Sequence, residues 1–130
     1  MGIPVQVQGG LHDEILPGDV HTESYWELMS KPRFELVLPT AGHFTFSDLC
    51  AIDRGALESL AVQGLDVRSA LDDGCGADDL DAPIAQRVLR HFGVAMFNGY
   101  LRGSPGSLEY LDEAKGRALG ASELRFRGDR

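Results

Sequence analysis

Two strand-like segments flanking one helical crossover constrain this chain more than any other feature. Ile3-Pro4-Val5-Gln6-Val7-Gln8 alternates apolar and polar residues with the period of a strand. Pro4 is tolerated there because it falls near the strand's first residue, and Gly9-Gly10 is expected to end the strand in a sharp turn. Arg33-Phe34-Glu35-Leu36-Val37-Leu38 reads as a second strand, more continuously apolar at its end and broken by Pro39 and Gly42. Between them, residues 11–22 read as a loop with Pro17-Gly18 as its turn. Thr22 is placed to cap a short helix over Glu23–Ser30 that Pro32 stops. Two strands joined by a helical crossover form a parallel pair. A parallel pair is a poor sheet alone, since stability usually needs about three strands with covered faces. The expected class is therefore α/β, with a βαβ unit that belongs to a larger sheet.

The remainder reads as helical. Ser47 can cap a helical stretch, and Ala56–Val62 looks helical. Residues 66–82 read as a loop rich in Asp and Gly. Asp81-Ala82-Pro83 then offers an N-cap and a first-turn proline. Ile84, Val88, Phe92, Ala95 and Met96 recur at helical spacing up to about Leu101, and Gly103 and Pro105 end that helix. A shorter helix is expected over Ser107–Ala114, and residues 115–130 read as a basic tail without pattern, open to disorder.

The 130 residues, 43% hydrophobic, are about one domain's worth. The net charge is −8, which argues against a nucleic-acid or anionic-membrane partner, because both repel an acidic surface. That charge is uneven. Residues 1–114 hold 7 basic and 18 acidic side chains, and residues 115–130 hold 5 and 2. No apolar run approaches the roughly 18 residues that span a bilayer, and Met1-Gly2-Ile3-Pro4-Val5 has no basic or apolar leader pattern. Two cysteines, Cys50 and Cys75, exclude a disulfide framework but allow one bond. No Cys-x-x-Cys or His-x-x-x-His pair points to zinc, and neither metal nor cofactor is expected.

The chemistry-bearing residues are Asp13, just after the first strand, and His43, just after the second. Open α/β sheets place their sites beyond the C-terminal ends of the strands, so a carboxylate and an imidazole are expected to face each other there. The carboxylate would hold one ring N–H and leave the other ring nitrogen free as a base. Each residue also has an ordinary reading. Asp13 suits a turn, and His43 suits a loop position with a structural hydrogen bond. His12 and His21 read as exposed loop residues and His91 as a structural histidine. Phe44 and Phe46 either anchor the histidine loop in the core or wall an acyl pocket, and Tyr25 and Trp26 read as core. Five carboxylates lie between Asp72 and Asp81, without the alternation of a calcium loop, so they read as a solvated loop that caps the next helix.

Ile3 through Gly10 and on to Asp13 resembles the strand and acid loop of an α/β-hydrolase. Ala41-Gly42-His43-Phe44-Thr45-Phe46-Ser47-Asp48 resembles the histidine loop of the branch that holds dienelactone hydrolases and platelet-activating-factor acetylhydrolases. Phe92–Leu101, with Gly103 and later Tyr110-Leu111, resembles that branch's C-terminal helix. The resemblance implies the C-terminal part of a carboxylic-ester hydrolase over residues 1–114, with Asp13 as triad acid and His43 as base. It also implies an ester substrate. Many such relatives are exported, which permits a Cys50–Cys75 disulfide; free thiols are the other option. The departure from the family is large. No Gly-x-Ser-x-Gly occurs, none of the twelve residues before Asp13 is Ser or Cys, and Gly74-Cys75-Gly76 lacks the elbow spacing. The chain is thus expected to carry two of three triad members and to be inactive alone. The competing expectation is a non-enzymatic remnant or small interaction module that self-associates through its open sheet edge.

Overall fold

The first strand pattern folds as β1 (Val5–Gly10) and the second as β2 (Arg33–Leu38), paired parallel from Val5 opposite Arg33 to Gly10 opposite Leu38. The architecture comes from a computed structural model that describes residues 2–64 and 67–130. The crossover between the strands is α1 (Gly18–Leu28). It starts five residues before the expected helix. Thr22 does not cap it but lies inside it, its hydroxyl donating back to the Gly18 carbonyl. Gly9-Gly10 does not end β1 either; both glycines lie in the strand because neighbours approach closely. A Cβ on Gly9 would lie 2.6 Å from the Thr22 methyl, and one on Gly10 would lie 2.0 Å from the Ala41 carbonyl oxygen.

The tail is the largest correction. Residues 125–129 are not patternless: they form β3 (Arg125–Asp129), which pairs antiparallel with β2 and gives a sheet of order β1-β2-β3. Its register sets Arg127 opposite Glu35 and Asp129 opposite Arg33, so opposite charges meet across the strands. Phe126, on the other face, stacks on Phe92 with ring centroids 4.6 Å apart. The chain therefore has a mixed sheet with helices, which places it in the α/β class.

After β2 come two short 3₁₀ turns, His43–Phe46 and Asp48–Ala51, then α2 (Arg54–Val62). Ser47 caps the second turn by accepting from the Leu49 amide at 3.2 Å, and Asp53 caps α2. The expected 66–82 loop contains a short helix, α3 (Arg68–Asp72); Asp66 lies outside the described residues. The long helix is α4 (Ala82–Tyr100). At its start the Asp81 carbonyl, not its carboxylate, accepts from the Ile84 and Ala85 amides. The expected Ser107–Ala114 helix is instead a 3₁₀ turn, Pro105–Tyr110, followed by α5 (Glu113–Arg117).

Strand alternation divides the packing between two faces. Phe34, Leu36 and Leu38 point to α4 and form a core with Val88, Phe92, Ala95 and Met96. Arg33 and Glu35 point the other way. There the Arg33 and Arg127 guanidinium groups flank the Trp26 ring at 4.3 and 4.2 Å, and Arg127 pairs with buried Glu35. Burial works against the Arg127 charge, but hydrogen bonds to Glu35 and Glu23 outweigh it and raise its pKa. Among the described residues no helix is long and apolar enough to cross a membrane.

Candidate active site

Asp13 follows β1 by three residues and His43 follows β2 by five, so parallel pairing delivers both to the same end of the sheet. Backbone bonds draw the two loops together: His12 N–H donates to the Ala41 carbonyl at 3.1 Å. His43 Nδ1 then lies 3.1 Å from Asp13 Oδ2. The Asp13 side chain is buried and that of His43 is one-third exposed.

Asp13 holds both of its sequence readings at once. Its Oδ1 accepts from the Ile15 and Leu16 amides at 2.9 and 2.6 Å, an Asx-type turn, and its Oδ2 faces the imidazole. Those two amides fix the carboxylate's orientation, so the turn and the pairing reinforce each other. In a neutral ring an ionised carboxylate, which only accepts, sets the proton on Nδ1 and leaves a lone pair on Nε2. Among the described residues Nε2 makes no hydrogen bond within the chain. The ring packs edge-on against Phe44, with centroids 5.3 Å apart.

A cavity of about 210 Å³ opens beside the pair and against β1 residues 7–9. Asp13 and His43 line it together with the polar residues Gln8, His21 and Thr22 and with Leu16, Tyr25 and Phe46. Phe46 packs against the core and also lines this cavity. Tyr25 and His21 are here because α1 starts at Gly18, which puts them four residues apart on one helix face. Reading residues 11–22 as loop hid that spacing and left His21 as an exposed loop residue. His12 remains peripheral, with Nδ1 3.3 Å from Asp79 Oδ1. His91 is structural: its Nε2 sits 2.8 Å from the Tyr110 carbonyl and its ring packs edge-on to Phe92 and Tyr110.

The Asp- and Gly-rich segment is not merely solvated. Asp73 is buried and takes the His43 amide on Oδ1 at 2.7 Å and the Glu14 amide on Oδ2 at 3.3 Å. Asp79 accepts from the Gly74 and Gly76 amides at 3.0 and 2.8 Å. Cys50 and Cys75 form a disulfide, tying this segment to the turn after the histidine loop. Among the described residues no cluster of His, Cys, Asp and Glu is arranged to hold a metal ion.

Comparison of the chain with protein-family models, with curated proteins and with solved structures finds no match.

Proposed function

We propose that Asp13 and His43 are the acid and base of a carboxylic-ester hydrolase of the α/β-hydrolase type, and that a serine or cysteine from outside residues 1–130 supplies the nucleophile. The observation that carries this reading is the 3.1 Å contact between a buried, amide-anchored carboxylate and an imidazole that lines a cavity and whose other nitrogen makes no hydrogen bond among the described residues. In the reaction, Nε2 takes the proton of the attacking hydroxyl or thiol as its O or S bonds to the ester carbonyl carbon. The ester C–O bond then breaks and Nε2 returns the proton to the leaving alkoxide. Water repeats the sequence on the acyl group and releases the acid. Asp13 keeps the tautomer and stabilises the imidazolium.

A further strand could add to the edge of β1 that faces away from β2. Among the described residues β1 pairs only with β2, and the amides of Val5 and Leu11 are bonded on that side. By the period of two, the backbone groups of Gln6 and Gln8 face the open edge. A parallel strand there would end beside the cavity. The cavity's small size and the apolar side chains of Val7, Leu16 and Phe46 favour a short apolar group on the ester. The competing reading, self-association through the same edge, draws support from Ile3, which is 83% exposed, and from Val5, which is about one-third exposed.

Turnover of p-nitrophenyl acetate tests the first reading. The protein expressed from the complete reading frame that contains these residues is expected to hydrolyse it, and His43→Ala is expected to lower kcat by about 10⁴-fold or more. No His43-dependent turnover in that protein, together with a dimer whose interface includes β1, would replace this reading with the second.

A further inference from the structure

We infer that Asp73 is a positioning residue for the Asp13–His43 pair: one buried carboxylate that holds the acid loop and the histidine loop in register. The inference rests on the proposed reading of that pair as a proton relay. Asp13 lies outside every helix and strand, and His43 only opens a four-residue 3₁₀ turn. The His12–Ala41 backbone bond joins the two loops at one point, and Asp73 supplies a second tie, bonding the His43 amide through one oxygen and the Glu14 amide through the other. Glu14 directly follows Asp13, so the two amides belong to the pair itself and to its next neighbour in the chain.

The residues around Asp73 hold it in place. Its carbonyl accepts from the Phe44 amide at 2.9 Å, and the Gly74 carbonyl accepts from the Thr45 hydroxyl at 2.9 Å. Thr45 Oγ1 in turn accepts from the Gly42 amide at 3.0 Å. Gly74 has φ +124°, and a Cβ there would lie 2.5 Å from the Thr45 nitrogen, so only glycine lets the two backbones approach this closely. Cys75 then fastens the segment covalently to Cys50. Asp73, Gly74 and Cys75 thus form a brace across the back of the histidine loop, with no atom facing the cavity. Asp73 acts through backbone amides and not through the ring, so removing it should leave both side chains present but misaligned.

The hydrogen-bonded Nδ1 proton of His43 reads that alignment directly. In the 15N-labelled chain at low temperature, this proton should give a downfield, slowly exchanging signal that is absent in His43→Gln. Asp73→Asn keeps one acceptor and the side chain's size. It should abolish the signal and shift the ring nitrogens toward mixed tautomers while leaving the Phe92 and Phe126 resonances in place. Asp72→Asn, at the exposed neighbouring position, should change nothing. An unaltered Nδ1 proton in Asp73→Asn overturns the inference. If that variant does not fold, hydrogen exchange in the unmodified protein decides. The His43 and Glu14 amides should be protected together, and exchange of either at the rate of an unstructured peptide overturns the inference. No ester is used, so failure of the hydrolase reading would show in turnover and leave this result unaffected. A parent chain with no Nδ1 signal would instead remove the hydrogen bond on which both readings stand.

Discussion

The two faces of the sheet are stabilised by opposite chemistry, although one strand supplies both. Toward α4, β2 presents Phe34 and Leu36, both almost fully buried, against Phe92 and Val88. Toward α1 the same strand presents Arg33 and Glu35, and the packing there is a Trp26 ring between two guanidinium groups with carboxylates behind them. The apolar face is held by area and shape, which are non-directional. The charged face is held by partner identity, because a buried carboxylate that loses its cation is left desolvated and unpaired. Substitutions on the first face should therefore scale with the volume removed, and on the second with whether a charge is orphaned.

The largest expected effect is on the apolar face. Phe92→Ala removes a fully buried ring stacked on Phe126, and should cost about 3–5 kcal/mol in denaturant unfolding. A loss under about 1 kcal/mol would mean that α4 is not docked as described.

On the charged face, Arg127→Ala leaves Glu35 buried without its cation. The arginine is partly exposed, so the loss should fall at about 1–3 kcal/mol. The sharper comparison is the double replacement Glu35→Leu with Arg127→Leu, which removes both charges. It should lose less than Arg127→Ala alone. If the double replacement is worse, this face is held by its ion pair and not by the avoidance of an orphaned charge.

This contrast also explains which parts of the fold were legible in the sequence. The apolar face was: β2 falls at Arg33–Leu38 as expected, and Val88, Phe92, Ala95 and Met96 are buried on α4. The charged face was not, because half of it comes from a strand that the basic tail concealed. Leu124 and Phe126 alternate there with Arg125 and Arg127, a period of two that the run of charges masked; both apolar residues pack into the core. The site divides in the same way. The placement of Asp13 and His43 at adjacent strand ends followed from strand order. The contribution of Asp73 did not, because its partners are backbone amides 59 and 30 residues away, which no local spacing encodes.

A smaller effect concerns the edge where β3 ends. The Lys31 ammonium, 2.6 Å from Asp129, holds the Asp129 carboxyl below the usual carboxylate range, with Arg33 adding to this. A carboxyl whose pKa is lowered by folding contributes stability above its unfolded pKa, about 3.9. That contribution is lost as pH falls through the lower folded value. Asp129→Asn should therefore have a slightly lower Tm than the parent at pH 7 and the same Tm at strongly acidic pH. The group is solvent-exposed, so the difference should also shrink with added salt. A gap that persists in acid would assign the effect to packing at the end of β3.

Mass spectrometry of the protein quenched during the first turnover of p-nitrophenyl acetate tests most directly whether Asp13 and His43 are the acid–base half of a hydrolase. In the product of the complete reading frame, the account predicts an early burst of nitrophenol and an acetyl group on a serine or cysteine outside residues 1–130. That adduct should form far more slowly in His43→Ala. An acetyl group on a residue within 1–130 whose formation needs no His43, or no adduct at all, would contradict it.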